Sequence, residues 1–314
     1  MSLHKLMLLL TVGVFAVPSY AASISGYTSK DNKGVIETGA SSAIPFGAGK
    51  PGISINGSAF INLEAGPIKH IKQLYGNKPI NSTASQDVDG KSNPKYLRLK
   101  DVNKVIGLFY NPTLGQVWYE NRAHNTEVYS VRQIADPAVP AAPKFGGLVV
   151  AKVTGLQDAS VYFGEWAPRA SNPSTGSDTN LGMNSASREV FYVGENPTGN
   201  VAGLATAKYN VVGINQHTPG KNDFYTGTLT ANFGNGGQNG QLSGELVRGN
   251  HRMNFAGTTI ENNGKFSRNF AGMQNKHDIE GRFYGKGAAA IAGFAKNGTP
   301  DNPRDDVAFG GRKQ

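Results

Sequence analysis

Asp278-Ile-Glu-Gly-Arg-Phe-Tyr-Gly-Lys-Gly-Ala-Ala-Ala-Ile-Ala-Gly-Phe294, followed after a loop by Val307-Ala-Phe-Gly-Gly-Arg-Lys-Gln314, is the stretch that decides the fold. Gly281, Gly285, Gly287 and Gly293 allow close strand approach and tight bends, while Phe283, Ile291, Phe294 and Phe309 offer apolar bulk for the inside of a small barrel. Upstream, short β-prone runs recur between Gly- and Asn-containing turns: Leu204 to Ile214, Phe224 to Phe233, Gly240 to Arg248, His251 to Gly257 and Gly264 to Ala271. After the polar turn Met273 to Lys276 come Asp278 to Tyr284, Ala288 to Ala295 and Asp306 to Gly310, giving eight runs in all. Their mostly hairpin-sized connections predict an up-and-down antiparallel barrel, which removes its own edges.

The rest of the chain fits the same class. It has 314 residues, which at ~100 to 200 residues per domain means two domains or one very large one. With 41 Gly, 16 Pro, 12 Tyr and 15 Phe against 17% charged and 38% hydrophobic residues, it suits many short strands around real cores. The expectation is an all-β protein: an N-terminal β-rich ligand-binding domain with a short helix, then a C-terminal eight-stranded antiparallel β-barrel. The turn formers of Gly194-Glu-Asn-Pro-Thr-Gly-Asn200, after the strand-like Val190 to Val193, divide it into residues 22–193 and 194–314. Cysteine is absent, which removes disulfides, thiolate metal sites, cysteine nucleophiles and a lipidated N-terminal cysteine together.

Residues 1–21 read as an export signal: His4 and Lys5, the apolar run Leu6 to Val17, then Pro18-Ser19-Tyr20-Ala21 with small residues where a signal peptidase reads. Cleavage after Ala21 is expected. The run is too short to span a bilayer, and no later stretch approaches the ~20 apolar residues of a transmembrane helix. The mature protein is therefore expected to be secreted and extracellular. Without residues 1–21 the chain keeps 30 basic and 22 acidic residues, a net charge of +8 shared evenly between residues 22–193 and 194–314. Even, modest charge gives nucleic-acid binding no support.

The C-terminal motifs resemble the terminal barrel of transferrin-binding protein B and related surface proteins, in which a G-x-F-Y-G strand, an Ala-rich strand running into Gly and Phe, and a terminal F-G-x-x-x-Q close the barrel. The first and last match well over roughly the last 120 residues. The middle strand departs from the pattern, having only Ala, Ile and the single Gly293 where the family carries an acidic residue before a Gly pair. A cleavable signal, no cysteine for a lipid anchor, an N-terminal β-rich domain and this barrel together are similar to the hemophilins, a family of secreted haem-binding proteins. Only the barrel motifs are specific; for residues 22–193 the likeness is one of layout and of candidate ligands. The resemblance implies haem (haem b) as cofactor, export by an outer-membrane translocon that recognises the barrel, and delivery of haem to a TonB-dependent outer-membrane receptor.

Haem needs an apolar slot, one or two axial ligands and cations for its propionates. Gly66-Pro-Ile-Lys-His-Ile-Lys-Gln-Leu-Tyr-Gly76 reads as a short helix, with Pro67 at its start and Gly76 as its C-terminal cap. At ~100° per residue Ile68, Ile71, Leu74 and Tyr75 share a face with His70 at its edge. His70 is thus a candidate axial ligand, with Lys69, Lys72 and Lys78, and then Lys91, Lys95, Arg98, Lys100 and Lys104, as propionate partners. The plain alternative is a solvated amphipathic helix with an incidental histidine. His124 sits in a polar loop between two β-prone flanks carrying Trp118, Tyr119 and Tyr129, and is the second candidate iron ligand against a surface hairpin histidine. Tyr75 and Tyr110 are further candidates. His217, in Gln-His-Thr-Pro-Gly, is expected to be a solvated turn residue, and His251 and His277 to be rim residues of the barrel.

Catalysis finds no positive signal. Glu64, Glu120, Glu127 and Glu165 have no spacing that pairs them as acid and base, and no G-x-S-x-G, H-E-x-x-H or Walker-type loop occurs. Gly234-Asn-Gly-Gly-Gln-Asn-Gly240 lacks the Lys-Ser/Thr of a phosphate loop and fits a long hairpin turn, and Ala135 to Pro143 reads as a stiff Pro/Ala connector. The leading expectation is a secreted hemophore for haem and iron acquisition; the alternative is a secreted host-protein-binding or colonisation factor without cofactor, since fold alone does not decide function.

Overall fold

The computed structural model describes residues 22–44, 47–80, 95–102, 104–122, 124–133, 145–169, 185–235, 237–268, 277–297 and 303–314. The export signal and the Pro/Ala connector lie outside the described residues. The N-terminal part opens with β1 (Ile24–Thr28) and a small sheet of β2 (Ile36–Ala40), β3 (Pro51–Ile55) and β4 (Ile61–Asn62). A wide turn over Glu64–Ile68 leads into α1 (Lys69–Leu74), then β5 (Lys95–Arg98), α2 (Leu99–Val102) and α3 (Lys104–Phe109). Four long strands follow: β6 (Thr113–Arg122), β7 (Thr126–Gln133), β8 (Gly147–Val153) and β9 (Val161–Ala167). A fifth, β10 (Glu189–Glu195), runs on through Gly194 and Glu195. They join β1 and β5 in a seven-stranded antiparallel sheet of order β1-β10-β9-β8-β7-β6-β5.

Every residue of β9 and of β10 is buried, because this sheet is covered on both faces. Side chains alternate across a strand, and the two resulting sets enter different cores. Tyr129, Val131, Leu148, Val150, Tyr162, Phe191 and Val193 pack with Ile36, Ile53, Leu63, Ile68 and Ile71 of the small sheet and the α1 segment. Val128, Val149, Ala151, Val161, Phe163, Val190 and Tyr192 face the other way, onto the barrel.

The barrel is closed by β11 (Ala207–Ile214), β12 (Tyr225–Asn232), β13 (Gly240–Arg248), β15 (Thr258–Ile260), β16 (Lys265–Arg268), β17 (His277–Tyr284), β18 (Ala290–Asn297) and β19 (Val307–Lys313). The pairings β11–β12, β12–β13 and β11–β19 complete the ring of eight antiparallel strands. One of the eight expected runs is misplaced. His251 to Asn254 forms β14, which folds back on the end of β13, and the wall position belongs to β15 just beyond it. Two tight turns within a few residues, each rich in Gly and Asn, made the spur and the wall strand look like one run.

Inside the barrel, Phe233 meets Phe283 edge-on at 5.1 Å and Phe255 meets Phe309 at 5.0 Å, the geometry that ring quadrupoles favour. Gly281 is required there, since a Cβ would overlap the Phe266 ring. Phe294, expected inside, points outward: on β18 it shares parity with Ala290 and Ala292 and packs on the sheet, 5.7 Å from Tyr192. Its neighbours at the contact are Val212, Ile214, Phe224, Tyr284 and Ala308, an apolar face that the seven-stranded sheet covers. Gly310 lets the two layers close up, because a Cβ at that position would overlap the Phe163 ring.

Candidate functional site

The segment Asn62 to Gly76 is built by local hydrogen bonding and then locked by packing. Asn62 Oδ1 accepts the backbone N–H of Glu64 at 3.0 Å and of Ala65 at 3.1 Å, starting the wide turn. Pro67 lies inside this turn rather than at the start of the helix. Gly76 ends the helix with φ +59°, the left-handed conformation that glycine adopts without penalty. Ile68 and Ile71 are buried, with Leu74 and Tyr75 packed at their margin. Lys72 reaches the sheet instead of a ligand: Nζ is 2.9 Å from Glu127 Oε2 and lies over the Tyr119 and Tyr129 rings. Both tyrosines donate to the same carboxylate, at 2.7 and 2.6 Å. Those donors, with Lys72, hold Glu127 below the usual carboxylate range against the opposing effect of burial. Lys72, expected as a propionate partner, is held against the sheet by Glu127 in this structure. Lys69 is exposed, and lines a cleft of about 620 Å³ with Lys50, Asn62, Gln73 and Tyr162.

His70, next to Lys69 on α1, is half-buried. Burial, and secondarily the Lys69 charge, push its imidazole below the ordinary histidine value, while Asp101 pulls the other way. The ring is neutral at neutral pH. α2, which carries Asp101, packs tightly on α3, where a Cβ on Gly107 would overlap Lys100. The end of α3 then presents Leu108 and Phe109 to solvent at 82% and 89% exposure, with Tyr110 beside them at 45%. Consecutive apolar side chains this open are unusual on a protein surface. Arg98, Lys100 and Lys104 are exposed around them.

Tyr75 uses its hydroxyl on the Val117 carbonyl at 2.9 Å, and burial raises its pKa far above the ordinary tyrosine value, so it offers no phenolate. His124 stands at the tip of the β6–β7 hairpin with φ +61°. α2 starts at the other end of β6, where Leu99 N–H donates to the Pro112 carbonyl. The ten residues of β6 lie between, roughly 30 Å of strand at ~3.3 Å per residue. His124 is thus separated from α2 along β6, while α1 reaches the hairpin end of the sheet through Lys72 and Glu127. His251 is exposed on β14, and the side chain of His277 lies outside the described residues.

His217 is the largest departure from expectation. It is 1% exposed, seated in the β11–β12 loop against the barrel-facing side of the sheet. Nδ1 is 2.5 Å from Asp223 Oδ1 and Nε2 is 2.9 Å from Glu120 Oε2. The two carboxylates outweigh desolvation and raise its pKa to about 9, so both ring nitrogens carry protons and donate. Glu120 also accepts from Arg122 and from Gly220 N–H. Glu165 accepts from Arg188 and from the backbone N–H groups of Gln216 and His217, both at 2.7 Å. The available signal lay in the strands: Trp118-Tyr119-Glu120 and Gly164-Glu165-Trp166 put a carboxylate inside an apolar run, which demands a buried partner.

No protein-family model matches the chain. Among solved structures it is similar to a surface lipoprotein (15% identity, TM-score 0.32, covering 51% of this chain and 78% of that one). It is also similar to a double mutant of transferrin-binding protein B from Haemophilus parasuis Hp5 (17% identity, TM-score 0.34, 65% of this chain and 39% of that one). A third is the isotype 1 transferrin-binding protein B from serogroup B Neisseria meningitidis (12% identity, TM-score 0.32, 65% and 53%). The chain thus matches 39% and 53% of the length of those two binding proteins. Its barrel stands on its own strand pairings, and any function must be argued from its own residues.

Proposed function

We propose that this chain is a secreted haem carrier that holds haem between α1 and the α2–α3 segment, with His70 as axial ligand. The reading rests on a half-buried histidine on α1 together with the solvent-exposed Leu108 and Phe109 at the end of α3. Iron requires a neutral imidazole, and a porphyrin face requires apolar cover. The donor set fits: His70 supplies nitrogen, Leu108, Phe109 and Tyr110 supply apolar surface, and Arg98, Lys100, Lys104 and Lys69 supply cations for propionates. His70 would hold the iron of haem through its neutral imidazole, and haem would supply the iron-binding chemistry there. Release to an outer-membrane receptor then needs only an exposed edge, which the α3 end provides.

Haemin titration of the mature protein tests this: a stoichiometric Soret shift supports it, and no shift rejects it. A second reading, docking of a host protein on the same Leu108–Tyr110 patch without cofactor, is favoured by the same exposure. Phe109→Ser separates the two, since loss of haemin affinity ties the patch to haem, whereas an unchanged titration leaves the patch for a protein partner.

A further inference from the structure

On the barrel-facing side of the sheet, remote from His70, the β6–β7 hairpin sets four polar side chains together. Trp118 is opposite Ser130, and Gln116 is opposite Arg132. They form two adjacent cross-strand pairs, with directly opposed Cβ atoms ~5 Å apart. Trp118 and Ser130 are 0% and 1% exposed. Trp118 Nε1, Ser130 Oγ and Gln116 Oε1 have no hydrogen-bond partner among the described residues. Arg132 lays its guanidinium over the Trp118 ring, 5.3 Å from the centroid, and makes no ion pair among the described residues.

Buried polar groups are normally satisfied, and each one left unmade costs ~1–3 kcal/mol. Two orphaned hydroxyl or N–H donors beside an unmatched five-donor cation therefore mark a missing acceptor. The nearby acids do not supply it. Glu120 is taken by Arg122 and His217, Glu165 by Arg188 and two backbone N–H groups, and Asp223 by His217 and Thr218 N–H. Burial lowers the Arg132 pKa below the ordinary arginine value, and the fields of Glu165, Asp223 and Glu120 oppose that shift in part. Tyr96, exposed on the edge strand, brings its hydroxyl 3.5 Å from Gln116 Nε2 and links the cluster to the surface.

We infer that this polar cluster binds a small organic carboxylate. Its planar oxygen pair matches the guanidinium fork of Arg132, with Trp118 Nε1–H and Ser130 Oγ–H donating to the same group. The reading does not rest on haem, because these residues lie on the sheet face turned away from α1.

The test uses the full mature chain without haemin. Trp118 and Trp166 are its two tryptophans, so Trp166→Phe leaves Trp118 as the sole reporter. Sodium acetate, added at ionic strength matched with sodium chloride, should change Trp118 emission saturably and raise Tm. Arg132→Gln and Ser130→Ala should each weaken the response at least tenfold, and Arg132→Lys, which keeps the charge and loses the fork, should also weaken it. If Arg132→Gln does not fold, Ser130→Ala decides alone. No saturable response to acetate, an equal response to chloride or phosphate, or an unchanged response in the folded variants would overturn the inference and leave a hydrated polar cluster.

Discussion

His217 Nε2 and Glu120 Oε2 stand 2.9 Å apart across the contact between the barrel and the seven-stranded sheet. The two residues are 97 positions apart in the chain, and their pairing, with Asp223 on the other ring nitrogen, fixes the β11–β12 loop on β6. Removing the imidazole leaves two carboxylates facing each other in a buried place. His217→Ala should therefore cost ~3–5 kcal/mol of stability, read as a lowered denaturation midpoint, and His217→Gln should recover part of it. An unchanged midpoint would mean that the loop is solvated after all.

The same cluster sets a pH dependence. The folded pKa of His217 is raised to about 9 from an ordinary 6.5, so the folded state binds the proton more tightly than the unfolded chain. Its contribution, ~3 kcal/mol at ~1.4 kcal/mol per pKa unit, is complete below pH ~6.5 and is lost as pH rises through about 9. Glu120 and Asp223 are held below their ordinary values, chiefly by the His217 charge against desolvation, so their contribution is present above those ordinary values and is lost as pH falls through the folded ones. Denaturation midpoints measured from pH 6 to 10 should fall for the wild type and fall less for His217→Gln. Parallel curves would contradict the assignment.

The apolar outer face of the barrel makes a third prediction. A fragment of residues 203–314 exposes Val212, Ile214, Phe224, Tyr284, Phe294 and Ala308, which the sheet covers in the whole chain. It should bind a hydrophobic dye and self-associate in sedimentation. The full chain should stay monomeric and bind less dye than the fragment, and Phe294→Asp, by disrupting the contact, should raise its dye binding. A monomeric, dye-silent fragment would show that the contact is dispensable.

What could be read from the sequence was local. Gly- and Asn-rich turns and alternating runs revealed most of the barrel, and the 3.6-residue spacing of Ile68, Ile71 and Leu74 revealed which side of α1 is buried. Non-local events were hidden. The Asn215 to Gly220 turn has the composition of a solvated loop, and its burial comes from Glu120 and Glu165 on strands far away in sequence. Phe294 has the same composition signal as Phe283 and Phe309, and only strand parity sends it outward. For the candidate site, the short helix around His70 was legible, while the commitment of Lys72 to Glu127 depends on a hairpin that no spacing near Lys72 announces.

Lys72 and Lys69 should accordingly separate. Lys72→Gln removes a partly exposed ion pair worth at most ~1 kcal/mol and should leave haemin affinity unchanged. Lys69→Gln, at an exposed position beside His70, should weaken haemin binding severalfold with no loss of stability. The reverse pattern, read by titration and denaturation together, would return Lys72 to the site.

The central claim is tested most directly by the absorption spectrum of haemin bound to His70→Ala beside His124→Ala. His70→Ala should change the Soret band and weaken binding at least tenfold, while His124→Ala, at the tip of the β6–β7 hairpin, should bind as the wild type does. A spectrum altered by His124→Ala and untouched by His70→Ala would contradict it.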